Sequence, residues 1–292
     1  MKRLYKSIFL LFLLAISTEA RNFKIFVDDR GIDSNFPFEI NDELIVELGY
    51  YSNKNSEIED FTKTHREGTK ANKIDENNIF ASIKYNVAKI GESNVFVGVE
   101  YEMFKRENEQ IGYYTEKSSQ HAYNNFVKLN GKKFNILVEA IYRNDSNKLK
   151  AFARATITPK TVLDIEQNTK VFPNLTTGGN FNGDTTLDLS YKIEGELLWD
   201  TGEYFDVGIG GSYSFIPYEY NYKGFNRTRD GYIEKKQTYD EKTIEYFTKI
   251  RLKKLFSEDI LPTLGYKWVE VKNSKFNNSK RDFVFVGIEK WF

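Results

Sequence analysis

The chain has 292 residues, with 42 basic and 42 acidic side chains and no cysteine. The missing cysteine excludes disulfides, cysteine metal sites and a cysteine nucleophile, and the balanced charge without basic blocks gives no sign of nucleic-acid binding. Aromatic residues make up 16% of the chain although its mean hydropathy is only −0.55. This combination indicates apolar side chains at alternate positions, as in β-strands, and it fits both a soluble all-β protein and a membrane barrel.

The first twenty residues have the form of a secretory signal peptide. Lys2, Arg3 and Lys6 precede the apolar run SIFLLFLLAI, and the segment STEA ends on the small residue Ala20. We therefore predict that residues 1–20 are a signal peptide and that the protein is exported; the alternative is a retained N-terminal anchor. No later apolar run is long enough to predict a transmembrane helix.

Twelve segments with alternating apolar and polar residues follow, each near the ~10 residues that a tilted membrane-spanning strand needs. In chain order they are ELIVELGYY, NIFASIKYNV, NVFVGVEYEMF, AYNNFVKL, KFNILVEAIYR, LKAFARATI, TVLDIEQN, TTLDLSYKIEGELLW, YFDVGIGGSYSF, TIEYFTKIRL, ILPTLGYKWV and RDFVFVGIEKWF.

The connections between these segments alternate between short and long. Short connections such as AKIGES and DTGE would lie at one end of a sheet, and long ones such as PYEYNYKGFNRTRDGYIEKKQ at the other. A soluble sandwich has no reason to sort its loops in this way, whereas a transmembrane barrel has short turns on one side and long loops on the other. The pattern predicts an all-β fold, an antiparallel up-and-down transmembrane β-barrel of about twelve strands, with ten or fourteen possible.

We expect residues 42–292 to form this barrel, with ELIVELGYY as its first strand, paired with the last. Residues 21–41 are left as a periplasmic segment, a lumen plug or an additional strand.

The signal peptide, the rhythm of strands and loops, and the ending FVFVGIEKWF resemble bacterial outer-membrane β-barrel proteins of the porin-like kind. The resemblance implies a location in the bacterial outer membrane, in contact with lipid and lipopolysaccharide. It also implies that the outer-membrane assembly machinery reads the last strand, through Val284, Val286, Ile288 and Phe292. Lys290 departs from the pattern, since that position is usually apolar or aromatic.

The polar faces of the strands predict a charged lumen. The candidate lumen-lining residues are Glu43, Glu47, Lys84, Glu100, Glu102, Glu139, Arg143, Lys150, Arg154, Lys192, Glu194, Asp206, Glu245, Lys249 and Arg251. They favour a porin-like passive channel for ions or small polar solutes, with a mild preference for cations. The alternative is a narrow barrel whose interior is closed by ion pairs and which only carries its loops.

Two other functions stay open. An interaction protein, or adhesin, would bind host or cell-surface ligands through long extracellular loops such as PYEYNYKGFNRTRDGY. A hydrolase would need one of the two histidines, His65 and His121, but neither lies in a recognisable catalytic motif. We therefore expect no enzymatic activity, no catalytic residues, no cofactor and no metal site.

Overall fold

The structure is a computed structural model of the chain. It describes residues 23–28, 31–41, 43–59, 70–116, 119–144, 146–172, 176–226, 231–253, 255, 261–273 and 279–290. No helix long and apolar enough to cross a membrane occurs among these residues.

The described residues form fourteen β-segments. They are β1 (Phe23–Val27), β2 (Gly31–Glu39), β3 (Leu44–Glu59), β4 (Lys70–Ile90), β5 (Ser93–Glu116), β6 (Ser119–Asn144), β7 (Leu149–Thr158), β8 (Thr161–Phe172), β9 (Thr176–Leu187), β10 (Ser190–Asp200), β11 (Phe205–Asn226), β12 (Gly231–Leu252), β13 (Leu261–Asn273) and β14 (Ser279–Lys290).

These segments form one closed antiparallel sheet of twelve strands. β7 and β8 pair with successive parts of β6 and together occupy one strand position, and β9 and β10 occupy the next in the same way. β1 pairs with β14 and closes the ring. Closure pairs every strand with two neighbours, which is what a β-structure needs in a lipid environment. The predicted fold class and strand number are confirmed.

The two divided strands are interrupted side by side. Pro159, which has no N–H to donate to the ladder, lies between β7 and β8. Asp188 lies between β9 and β10, and its N–H donates instead to the carbonyl oxygen of Pro217 at 3.0 Å. The chain therefore continues in the same direction through both interruptions.

The strand boundaries predicted within the middle of the chain are wrong at two places. AYNNFVKL and KFNILVEAIYR are one strand, β6, because NGK is not a turn: Gly131 lies in the ladder opposite Phe104. LKAFARATI and TVLDIEQN are likewise one strand position, since TPK interrupts the ladder without reversing the chain. The twelve predicted segments place turns at the glycine of NGK and the proline of TPK, but neither residue ends a strand by itself.

The predicted start of the barrel is also wrong. Residues 23–27 and 31–39 form β1 and β2, so this segment is part of the wall. Of the three alternatives for residues 21–41, the structure agrees with an additional strand and not with a periplasmic segment or a lumen plug. The closing strand therefore pairs with β1, and ELIVELGYY, within β3, pairs with β2 instead. The two additional strands, β1 and β2, compensate for the two pairs of predicted segments that each form a single strand position. The total number of strands therefore stays at twelve.

The barrel has two different ends, which we call the base and the rim. The base carries the start of β1, the end of β14 and short connections, such as residues 91–92 and 201–204. Towards the rim, β4, β5, β6, β11 and β12 extend to 21–26 residues. A membrane-spanning strand needs only ~10 residues, so these strands rise well above a bilayer.

An apolar band surrounds the outside of the barrel. Its exposed side chains include Leu48, Ile79, Ile83, Val97, Val99, Ile136, Val138, Ile193, Leu197, Ile209, Ile250, Leu264, Val284 and Val286. Towards the rim, Trp268 stacks on Tyr246 with ring centroids 5.6 Å apart, and the Tyr266 hydroxyl donates to Asp282. Aromatic side chains with a polar end favour the boundary between lipid and water. The band therefore faces lipid, and this aromatic group marks its boundary on the rim side.

Candidate functional site

The interior of the barrel holds a cavity of about 1360 Å³. Its wall is formed by the inward-facing residues of the strands, since side chains alternate between the lumen and the lipid side. Of the predicted lumen-lining residues, the cavity is lined by Glu43, Glu47, Lys84, Glu100, Glu102, Glu139, Arg143, Lys150, Arg154, Lys192, Glu194, Glu245 and Lys249. Asp206 and Arg251 are buried in contact with each other instead.

A first ion-pair cluster joins β3, β4, β6, β7 and β10 across the lumen. The Lys84 ammonium lies 2.9 Å from both Glu47 and Glu139. Arg154 lies 2.8 Å from Glu139, 3.2 Å from Glu47 and 3.7 Å from Glu194. Because β3 and β7 are not neighbours in the sheet, the contact between Arg154 and Glu47 crosses the interior of the barrel.

A second ion-pair cluster lies at the base, between β10, β11, β12 and β14. The Lys249 ammonium is 2.7 Å from Glu196 and 2.8 Å from Glu289. The Arg251 guanidinium is 2.7 Å from Asp206 and 3.9 Å from Glu289. This cluster ties the last strand, β14, to β10, which lies four strand positions away in the sheet.

The charged side chains at the centre of the two clusters are buried. The side chains of Glu47, Glu139 and Glu289 are at most 2% exposed, and that of Arg251 is 2% exposed. A buried charge is tolerated only when it is paired and hydrogen-bonded, and here each carboxylate meets at least one cation. The lumen is thus narrowed by ion pairs at these two clusters.

Lys253, in the connection after β12, extends the second ion-pair cluster to the surface of the base. Its ammonium lies 2.6 Å from Asp200 and 2.6 Å from Asp206. Burial lowers the pKa of Lys253, but the hydrogen bonds to these two carboxylates outweigh it and leave the pKa raised.

The wider part of the cavity carries carboxylates that are hydrogen-bonded or ion-paired. The Asn135 amide donates to Glu100 at 2.7 Å and to Glu102 at 3.3 Å. Lys133 lies 3.0 Å from Glu102, and Lys267 lies 3.1 Å from Glu245. Side chains of both charge signs therefore face the same cavity.

The packing of inward-facing phenylalanines on glycines of neighbouring strands is a feature that the sequence did not predict. Phe80, Phe247 and Phe285 each lie over a glycine of a neighbouring strand, Gly49, Gly210 and Gly265 respectively. A Cβ atom on any of these glycines would collide with the ring, so the glycines make room for the rings inside the lumen. The available signal was a phenylalanine on the polar face of its strand, but its partner glycine is identified only by the register.

The other predicted functional residues are outside the lumen or outside the described residues. Val284 and Val286 point outwards and are exposed, and Ile288 is half-buried. Phe292 and His65 are outside the described residues, and the side chain of His121 is not described either.

No known family model and no curated protein matches this chain in sequence. Its fold, however, matches solved structures. The translocator domain of the autotransporter NalP from Neisseria meningitidis is 8% identical, with a TM-score of 0.51 over 100% of this chain and 97% of that one. The toluene transporter TbuX from Ralstonia pickettii is 7% identical, with a TM-score of 0.50 over 95% of this chain and 90% of that one.

At this level of identity the similarity concerns the fold alone. The two proteins have different printed functions, which is consistent with one fold carrying several activities. Together with the closed sheet, the polar interior and the apolar outer band, the comparison shows that the chain has the fold of a bacterial outer-membrane β-barrel, and this fold supports the predicted location in the bacterial outer membrane.

Proposed function

We propose that this barrel is a porin-like passive channel for ions or small polar solutes. The observation that carries the proposal is the cavity of about 1360 Å³, whose walls present carboxylates and cations from most of the strands. Water and ions in such a space are stabilised by wall charges, whereas an apolar lumen would exclude them. Passage of this kind needs no nucleophile, cofactor or metal.

The ion-pair clusters narrow the base of this channel, and we expect them to keep its conductance small. Permeating ions must pass Arg154, Lys249 and the carboxylates that pair with them. Rings of fixed charge at a narrow point select between ions by sign. Selectivity should therefore respond to single charge changes in the lumen.

Single-channel recording of the refolded protein in planar bilayers tests the proposal. Glu100 lines the wider part of the cavity, and Glu100→Lys exchanges one negative charge for one positive. The cation-to-anion permeability ratio should fall by about two- to threefold, because the charge on the wall at this position changes by about two units, from negative to positive.

Asp282→Lys makes the same charge change on the outer wall, beside Tyr266, and should leave the ratio unchanged. A membrane that stays silent at high protein load, with correctly folded protein, would refute the channel. A ratio that changes equally in both variants would refute selection by the lumen.

A second candidate, an interaction protein, is favoured by the long strands on the rim side. β5 and β6 extend to 24 and 26 residues, and β11 and β12 to 22 residues each. Their outer parts form paired hairpins that stand above the membrane and are available to a ligand. Replacing residues 221–236 by a short turn should abolish adhesion of proteoliposomes to cultured host cells and preserve conductance. Equal adhesion by both proteins would contradict this candidate.

A further inference from the structure

The first hairpin leaves a low point in the rim of the barrel. β1 pairs with β14 only up to Val27, opposite Val286, and β2 pairs with β3 only up to Asn53, opposite Gly31. Beyond these pairs, β14 continues to Ser279 and β3 to Glu59. Within the described residues, no strand pairs with these two edges on the side of the hairpin. We call this opening in the wall the side notch.

The side notch lies at the boundary between lipid and water. On β14, the unpaired edge begins beside Val284, which pairs with Tyr266 on β13 and faces outwards. The next outward residue is Asp282, which pairs with Trp268, a member of the aromatic group at the boundary. A molecule at the surface of the bilayer would therefore meet the opening directly.

The cavity reaches the side notch. Its lining includes Asp28, Gly31 and Ile32 at the tip of the hairpin, and Arg281 and Phe283 on the free edge of β14. The Asp28 N–H donates to the Gly31 carbonyl at 3.2 Å, and the Gly31 N–H donates to the Asp28 side chain at 2.8 Å. These two bonds fix the turn, so the hairpin ends here as a formed structure.

The lumen wall next to the side notch carries a group of apolar side chains, which lies beside Lys267 and Arg281. We call this wall the apolar wall: it consists of Phe26, Val269, Val271, Phe283 and Phe285 on three adjacent strands, all of which line the cavity. The rings of Phe26 and Phe285 pack edge to face with centroids 5.0 Å apart. Contiguous apolar surface in a concave site favours an apolar ligand.

The positive charges near the apolar wall are paired with carboxylates. Lys267 lies 5.9 Å from the ring centroid of Phe283 and 3.1 Å from Glu245. Lys24 lies 5.9 Å from the ring centroid of Phe26 and 3.5 Å from Asp33. Because Lys267 and Lys24 each have an anionic partner, neither of these two side chains presents an uncompensated charge to a ligand at the apolar wall.

We propose that the apolar wall is a binding site for small neutral aromatic molecules, which reach it from the membrane surface through the side notch. Such molecules partition into the lipid boundary, where the notch opens, and their rings pack on Phe283 and Phe285. This site lies beside the polar path through the lumen and does not depend on conductance.

The neutral dye N-phenyl-1-naphthylamine tests the site by its fluorescence increase on binding to the protein in lipid nanodiscs, relative to empty nanodiscs. Phe283→Asp places a carboxylate in the apolar wall and should weaken binding by about tenfold. Phe80→Ala removes an inward ring from the opposite side of the cavity and should change the affinity by less than about twofold. Single-channel conductance of each variant reports separately on the proposed function.

The side entrance has its own test. Lengthening β1 and β2 by four residues each, with the Asp28–Gly31 turn retained, fills the side notch and should slow dye association by about fivefold at unchanged equilibrium affinity. The site is refuted if the wild type binds no dye or if both phenylalanine variants lose it equally. An unchanged association rate in the lengthened variant refutes the side entrance.

Discussion

At the scale of residues, the buried charges of the lumen act as cross-links between strands that are not neighbours. Lys84 on β4 holds carboxylates from β3 and β6, and Arg154 on β7 reaches back to β3. Pairing alone does not make such charges stabilising, because each was removed from water. Removing a single partner, however, leaves a charge in a site without solvent.

Lys84→Met should therefore destabilise the barrel strongly. It removes Lys84 as a cationic partner of both Glu47 and Glu139, which keep their ion pairs with Arg154, and we expect a loss of about 3–5 kcal/mol in the free energy of unfolding. Lys105→Met, whose pair with Glu107 is largely exposed, should cost no more than about 1 kcal/mol. Urea unfolding of the refolded protein in lipid bilayers measures both. Equal losses of unfolding free energy in the two variants would show that burial of the Lys84 ion pairs does not increase their contribution to stability.

At the scale of elements, the first hairpin is the least supported part of the wall. β1 has five residues and four pairs with β2, whereas β13 and β14 are joined by eleven pairs. The small apolar cluster of Ile25, Ile32 and Phe36 supports the hairpin by packing. Without it, the edges of β3 and β14 would face lipid with unpaired N–H and C=O groups.

A chain that begins at residue 42 should consequently fail to form a stable barrel. An unpaired backbone group in hydrocarbon costs several kcal/mol, and the shortened chain would leave two edges with many such groups. Refolding into detergent or lipid, followed by electrophoresis of unheated samples, compares this chain with one that begins at residue 21. A compact, fast-migrating band from the shorter chain would instead support ELIVELGYY as the first strand.

At the scale of the whole molecule, we expect the chain to be exported first and to form its closed sheet when it inserts into the outer membrane. The last strand pairs with β1, and we propose that its outward residues are also a signal that the assembly machinery reads. Phe292 lies outside the described residues, and we expect its removal to affect this recognition more than the pairing of β14 with β1.

Deleting Phe292 should lower the amount of barrel that is inserted in cells while leaving the purified, refolded barrel intact. The heat-dependent shift in electrophoretic mobility reports a folded barrel in both experiments. Deletion of Lys272, which lies on β13 and away from the terminus, should instead disturb the register and impair refolding itself. Normal insertion of the Phe292 deletion in cells would show that this residue is not part of the signal.

The amino-acid sequence by itself determined the class of the fold, because period-two alternation and sorted loop lengths follow directly from a sheet between lipid and a polar interior. It also indicated which charged residues share the inward face, because side chains alternate between the two faces of a strand and this alternation can be followed along the sequence. The tertiary structure alone decided the boundaries at Gly131 and Pro159, because only the neighbouring strand shows whether such a residue turns the chain. The same holds for the pairs of Arg154 with Glu47 and of Phe285 with Gly265, which depend on curvature and register. The curvature of the sheet and the register between its strands bring together residues that are far apart in the chain. Both are set only when the sheet closes into a barrel.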